Sequence, residues 1–196
     1  MTTTDLDDRR AETTAPIEEL LAMRWSPRAF DPTAEVTDEQ LTSLLEAARW
    51  AASAQNSQPA RFIAGRRGTT TFDRIERHLM GFNRAWAPNA SALVLAVVST
   101  EDAEGRTLRW AEYDTGQAMA NLAVQAHALG LHVHPMGGIE VAALQAEFDL
   151  PQQLVPITAT AVGTIGDPVT LPERYRERET APRTRRPLDE LVLARD

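Results

Sequence analysis

The chain has 196 residues, enough for one domain with a buried core, and its formal net charge of −8 argues against general affinity for nucleic acid or anionic membranes. It contains no cysteine, so thiol nucleophiles, disulfides and cysteine-ligated metals are excluded. All 20 basic residues are arginine, which excludes Schiff-base catalysis and a lysine general base. Any catalysis must therefore use a bound cofactor, histidines or carboxylates.

The N-terminal residues 1–14 are polar and acidic, and we expect a disordered tail there, followed by a single domain over residues 15–196. The tail lacks the basic and apolar regions of a signal peptide, so we expect a cytoplasmic protein. A short helix is predicted after Pro16, where a first helical turn tolerates proline.

An arginine-rich segment, RWSPRAF at residues 24–30, follows this helix. Arg24, Ser26 and Arg28 place two guanidinium groups and a hydroxyl within five residues, a set of donors that suits a phosphate. The same pattern is also common on a solvated turn, where Arg28 could pair with Asp31. The segment alone therefore leaves both interpretations open.

The next helix is predicted over residues 37–51. Thr37 and Gln40 form a capping box, and the apolar residues that follow them recur at helical spacing. A turn with the sequence SAQNSQP comes after it at residues 53–59 and leads into a short strand at 62–64. Ser53 and Asn56 in this turn could bind a ligand or cap their own loop.

The rest of the chain alternates between helices and strands. The predicted helices cover residues 71–80, 106–129 and 141–148, and the predicted strands cover 92–99, 132–134 and 155–163. Four strands separated by helices imply an α+β or three-layer domain. From residue 168 onward the chain is rich in Arg and Glu, which predicts an extended arm that ends in an apolar segment at 187–193.

The segments at 24–30 and 53–59, in this order and spacing, resemble the flavin-dependent nitroreductase family. Three further features share the resemblance: Asn83, the turn PMGG at 135–138, and the basic segment PRTRRPL at 182–188. The resemblance implies an α+β, three-layer fold whose central, mainly antiparallel sheet is covered by helices. It also implies that the arm at 168–196 packs on a partner subunit of a homodimer.

In this family the first segment holds the phosphate and ribityl chain of FMN, which assigns Arg24, Trp25, Ser26 and Arg28. The C-terminal basic pair closes on the same phosphate, which assigns Arg183 and Arg185, with Arg186 as a less certain neighbour. The resemblance places Ser53 and Asn56 close to the isoalloxazine ring and the ribityl hydroxyls.

The ring end of the cofactor is assigned in the same way. Asn83 would bind the pyrimidine side, and Pro135, Met136, Gly137 and Gly138 would form the turn whose backbone approaches flavin N5. Many family members have a lysine three residues after this asparagine, where the present chain has Trp86. The resemblance then leaves two alternatives, a substitute cation such as Arg84 or a less stabilised reduced flavin.

The function implied is that of an FMN-dependent oxidoreductase that moves electrons from NAD(P)H to a nitroaromatic, quinone or related acceptor by a ping-pong mechanism. No side chain is assigned as a catalytic acid or base. Two alternatives remain open: an FMN-dependent biosynthetic oxidase or dehydrogenase of the same fold, and a flavin-binding protein with little turnover. The four histidines show no metal-ligand spacing with acidic residues, so no metal site is expected, nor is a nucleic-acid or membrane partner.

Overall fold

A four-stranded antiparallel sheet organises the chain in the computed structural model, which describes residues 9–195. The strands are β1 (Ala60–Arg66), β2 (Ala92–Ser99), β3 (His132–Met136) and β4 (Leu154–Gly163), and their order across the sheet is β1-β2-β4-β3. All eight residues of the central strand β2 are buried, as the uninterrupted apolar run at 92–99 predicts.

Eight α-helices surround this sheet within residues 9–195. They are α1 (Glu19–Met23), α2 (Asp38–Arg49), α3 (Thr70–Glu76), α4 (Gly81–Arg84), α5 (Ala111–Ala128), α6 (Val141–Glu147), α7 (Glu173–Thr180) and α8 (Leu188–Leu191). The capping box of α2 is present, since Thr37 Oγ1 accepts from the Gln40 N–H at 3.1 Å and Gln40 Oε1 accepts from the Thr37 N–H at 3.0 Å.

The two faces of the sheet carry separate hydrophobic cores. Because successive strand residues point to opposite faces, Leu93 and Leu95 of β2 join one core, whereas Val94 and Ala96 join the other. The first core also contains residues of α3, α6 and α7, and the second contains residues of α2 and α5. This arrangement confirms the predicted α+β fold, with helices covering both faces of the sheet.

The segment after residue 168 differs from the predicted extended arm. It forms the helix α7, and three side chains at four-residue intervals, Leu171, Tyr175 and Glu179, are buried against the same chain. Residues at this spacing lie on one face of the segment, and that face is buried. The high content of Arg and Glu makes this periodicity difficult to recognise in the sequence. From residue 184 to 195 every side chain is exposed, and Leu193 is 95% exposed.

The N-terminal tail predicted over residues 1–14 lies partly outside the described residues, which begin at Arg9. From there the chain contacts the domain: the Ala11 N–H donates to the Ala22 carbonyl at 2.9 Å, and the Arg9 guanidinium donates to the Ala181 carbonyl. Arg9 also lies 4.4 Å from the centre of the Trp25 ring. Arg9 thus attaches the chain to the end of α7 and to the arginine-rich segment, and Ala11 attaches it to α1.

Candidate functional site

A cleft of about 420 Å³ opens where β3 ends. It brings together four segments that are far apart in the chain: the arginine-rich segment, α4, the 135–138 turn and α7. Of the residues predicted to bind the cofactor, the cleft is lined by Arg28, Asn83, Pro135, Met136, Gly137 and Gly138.

The 135–138 turn is held in place by Asn83, whose Nδ2 donates to the Gly138 carbonyl oxygen at 3.0 Å. The same oxygen accepts from the Met80 N–H at 3.0 Å. A Cβ atom on Gly138 would lie 2.8 Å from Asn83 Nδ2 and would collide with the Phe82 ring, so this close approach requires glycine. A Cβ on Gly137 would meet no atom within 4 Å, and the backbone there stays open to a ligand.

Trp86 forms part of the wall of the cleft and is also a core residue, with 1% of its surface exposed. Its ring stacks on Phe30 at 6.2 Å between centroids and lies 4.5 Å from the His134 ring. Burial, with a smaller contribution from the Arg28 charge, lowers the pKa of His134 to about 4. His134 is therefore neutral near pH 7 and does not replace the missing lysine charge.

Arg84 does not supply that charge either. Its guanidinium donates to the carbonyls of Arg77 and Leu79 and lies 3.9 Å from the Glu76 carboxylate, and it is not among the residues that line the cleft. The cations that do line the cleft are Arg28, Arg174 and Arg178.

Arg28 is held by a buried carboxylate that the sequence interpretation missed. Glu179 of α7 is 0% exposed, and its Oε1 accepts from the backbone N–H groups of Arg28 and Ala29 at 2.8 and 2.9 Å. The Arg28 guanidinium lies 3.9 Å from Glu179 Oε2, so its ion pair is with Glu179 and not with Asp31. Burial raises the pKa of Glu179, and these backbone and arginine contacts oppose that effect.

A second group of cations lies outside the lining of the cleft. Arg24 Nη1 is 3.5 Å from Ser26 Oγ, and burial, with a smaller contribution from the charge of Arg185, lowers the pKa of Arg24. The pKa of Arg183 is also lowered, first by burial and then by the charges of Arg24, Arg185 and Arg9. Arg9 and Arg24 therefore meet Arg183 and Arg185 here, in a cluster of guanidinium groups that repel one another.

Two residues predicted to bind the cofactor, Arg183 and Trp25, have contacts within the chain. Arg183 donates to the backbone carbonyls of Arg9, Ala22 and Arg24, at 2.6, 2.7 and 2.9 Å, and thus fixes the chain around Arg24. Trp25 is 6% exposed and packs inside the domain. Arg24 and Ser26 are half-buried and Arg185 is exposed, whereas Arg28 lines the cleft.

The 53–59 turn lies at the opposite edge of the sheet from the cleft. This turn leads into the edge strand β1, whereas the 135–138 turn lies at the end of the other edge strand, β3. The two edge strands are three strand spacings apart, which is about 14 Å. Ser53 Oγ accepts from the Gln58 N–H at 3.0 Å, so this side chain caps its own loop. Asn56 has a φ of 56°, and neither residue lines the cleft of the same chain.

A buried aspartate, also missed in the sequence, fixes this second turn. Asp114 of α5 is 4% exposed, and its Oδ2 accepts from the Ala54 N–H at 3.0 Å. Beside it a surface pocket is lined by Ser53 and by two exposed aromatic residues, Trp110 and Tyr113. No sequence motif marks Asp114 or Glu179, because each acts on backbone more than 50 residues away.

Within residues 9–195, no group of three or more histidine and acidic residues is arranged to hold a metal ion. No helix of this part of the chain combines the length and apolar character that a membrane span requires.

The fold of the chain matches those of known proteins. A solved structure of an oxidoreductase containing FMN matches with a TM-score of 0.88 and 35% identity over 93% of each chain. A protein from Desulfovibrio desulfuricans, assigned as a nitroreductase and solved in complex with FMN, matches with a TM-score of 0.75 and 26% identity, over 94% of this chain and 99% of its own. The fold is therefore that of the FMN-containing oxidoreductases.

Comparison of the sequence with family models identifies the family within this fold. The model of the nitroreductase family matches residues 21–89 and 66–164, and the chain belongs to this family. An uncharacterized 15.4 kDa protein from the ask 5′ region of Mycolicibacterium smegmatis is 38% identical over 140 residues, which cover 68% of this chain and 94% of that protein.

Proposed function

We propose that the protein is an FMN-dependent oxidoreductase that transfers electrons from NAD(P)H to a nitroaromatic, quinone or related acceptor in a ping-pong cycle. One observation carries the proposal: the segment 24–30 joins a cation cluster at Arg24 to a cleft at Arg28 that contains Gly137 and Gly138. A ligand with a phosphate at one end and a planar ring at the other fits this pair of sites.

The cation cluster suits the phosphate. Arg24 and Arg185 have no carboxylate within ion-pair distance among the described residues, and their mutual repulsion contributes to the lowered pKa of Arg24. A phosphomonoester carries nearly two negative charges at neutral pH and would relieve this repulsion. Ser26 Oγ beside Arg24 adds a hydroxyl donor.

The cleft provides suitable contacts for the isoalloxazine ring of FMN. The backbone at Gly137 is open, the Gly138 carbonyl is positioned by Asn83, and Arg28 places a positive charge among these residues. Arg28 is therefore the cation that we assign to the role of the missing lysine, which favours turnover over the low-turnover alternative. Bound FMN would supply the electron-transfer chemistry, and the chain positions it, balances its charge and limits access to its face.

The decisive experiment is spectroscopic. The purified protein, or the protein after FMN is added, should show a flavin absorption spectrum that is bleached anaerobically by NADH or NADPH and restored by a quinone or nitroaromatic. A protein that binds no FMN would contradict the proposal. Binding without bleaching would identify the flavin-binding protein with little turnover.

The site also motivates a homodimer, in which the 53–59 turn of a second subunit completes the cleft. The chain leaves apolar surface exposed beside that turn, at Trp110 and Tyr113, and on the C-terminal segment, where Leu191 is 60% and Leu193 is 95% exposed. Contiguous exposed apolar surface marks an interaction site, and two equivalent copies bury it symmetrically.

We expect sedimentation equilibrium at micromolar concentration to give twice the mass of 21.6 kDa. Replacing both Leu191 and Leu193 with Glu should shift the equilibrium toward monomer and weaken FMN binding together, since each site would lose its partner. The double replacement of the exposed Gln152 and Gln153 with Glu adds the same two charges outside these apolar residues and is the control. A monodisperse monomer with bound FMN would show that one chain forms the whole site.

A further inference from the structure

Two arginines of α7 line the cleft and take no part in the cofactor site proposed above. Arg174 and Arg178 lie four residues apart, and both are exposed. The Arg174 guanidinium lies 4.6 Å from the centre of the Tyr175 ring, and Arg178 has no hydrogen-bond or ion-pair partner among residues 9–195.

The orientation of this pair follows from how α7 is anchored. Tyr175 Oη donates to the Phe82 carbonyl at 2.8 Å, and Glu179 accepts the N–H groups of Arg28 and Ala29. These contacts fix the rotation of the helix, because they lie one turn apart on its buried face. The pair lies on the neighbouring face, which borders the cleft.

The arrangement costs helix stability, since like charges at positions i and i+4 repel. The same helix contains Glu173 and Glu177, but among the described residues neither lies within ion-pair distance of either arginine. Arg176, by contrast, donates to the carbonyls of Val169 and Leu171 at 3.0 and 3.2 Å. In a chain of net charge −8, the pair concentrates positive potential at the cleft.

We propose that Arg174 and Arg178 bind an oxyanion, a phosphate or carboxylate, of the small-molecule reactant that enters the cleft, so that anionic reactants are preferred to neutral ones. This inference rests on the proposed function. Planar guanidinium groups bind phosphate and carboxylate through paired hydrogen bonds. The cations assigned to the cofactor phosphate, Arg24 and Arg185, do not line this cleft, which leaves the α7 pair for the reactant.

Two reactants could carry the oxyanion, and the double variant R174Q/R178Q distinguishes them in the FMN-saturated protein. One arm compares NADPH, which has a 2′-phosphate, with NADH; the other compares a carboxylated benzoquinone with its neutral counterpart. The double variant should lower kcat/KM for the anionic member of at least one pair by about tenfold or more. The neutral member should change by less than about twofold, and the FMN dissociation constant should be unchanged.

Arg176→Gln removes one positive charge from the same helix away from the cleft and is the matched control. An effect limited to NADPH assigns the oxyanion to the 2′-phosphate, and an effect limited to the carboxylated quinone assigns it to the acceptor. The inference would be overturned if the double variant left the ratio of kcat/KM for anionic and neutral reactants unchanged in both comparisons. It would also be overturned if Arg176→Gln changed that ratio as much as the double variant does.

Calorimetric binding of two ligands that do not react, adenosine 2′-phosphate and benzoate, separates this inference from the proposed function. The wild-type protein should bind at least one of them more tightly than the double variant does, whether or not turnover is observed. Absence of FMN binding would defeat the proposed function alone. Equal affinities of the wild type and the double variant for both ligands would defeat the anion site alone.

Discussion

Replacing Glu179 with alanine should lower the free energy of unfolding by about 2–6 kcal/mol, because two N–H groups lose their shared acceptor and each unsatisfied buried group costs roughly 1–3 kcal/mol. The carboxylate is fully buried, and it accepts from the backbone of Arg28 and Ala29. Chemical denaturation of the apoprotein at pH 7 measures the loss directly. The effect should extend to the site, because the same contacts hold Arg28 in the cleft.

The control for this substitution is Glu177→Ala on the same helix. Glu177 is exposed and should change the free energy of unfolding by less than about 0.5 kcal/mol. Glu179→Gln keeps one acceptor oxygen, so its free energy of unfolding should lie between those of the wild type and Glu179→Ala. If Glu179→Ala is as stable as Glu177→Ala, then the buried carboxylate does not position the arginine-rich segment.

Replacing Arg24 with alanine should weaken FMN binding about ten- to a hundredfold, which corresponds to the roughly 1.5–3 kcal/mol of a hydrogen bond to a charged group. Arg24 faces the proposed phosphate position, and Arg28 lies among the residues proposed for the ring. A contact to the phosphate is equal in the ground state and the transition state, so turnover at saturating FMN should return to near the wild-type value. Titration of FMN into the apo-variant, with NAD(P)H oxidation measured at the plateau, tests both parts.

Asn83→Ala should behave differently from Arg24→Ala. The Asn83 amide positions the Gly138 carbonyl at 3.0 Å, so its loss should lower turnover even when FMN is saturating. Arg185→Ala should resemble Arg24→Ala, because the two charges act on one another. Normal FMN affinity in both arginine variants would mean that this cluster is only a solvated surface.

Much of the framework follows from local sequence. The strand at 92–99 is an uninterrupted apolar run, and the capping box at Thr37 and Gln40 starts α2, because both depend on interactions within a few residues. The types and spacing of Arg24 and Arg28 made them candidates for a phosphate site, and the family resemblance added the glycines at 137 and 138. The family resemblance placed them in one site.

The tertiary structure decided how those residues are divided. It separates Arg24 from Arg28, uses Arg183 to hold backbone carbonyls, and packs Trp86 into the core beside the cleft. It also turns the Arg- and Glu-rich segment after residue 168 into a helix with the buried Glu179. The sequence by itself determined the elements and the candidate residues, because periodicity and spacing are local. The partners of Asn83 and Arg28 lie 55 and 151 residues away, so only the packed chain decided which charge meets which group.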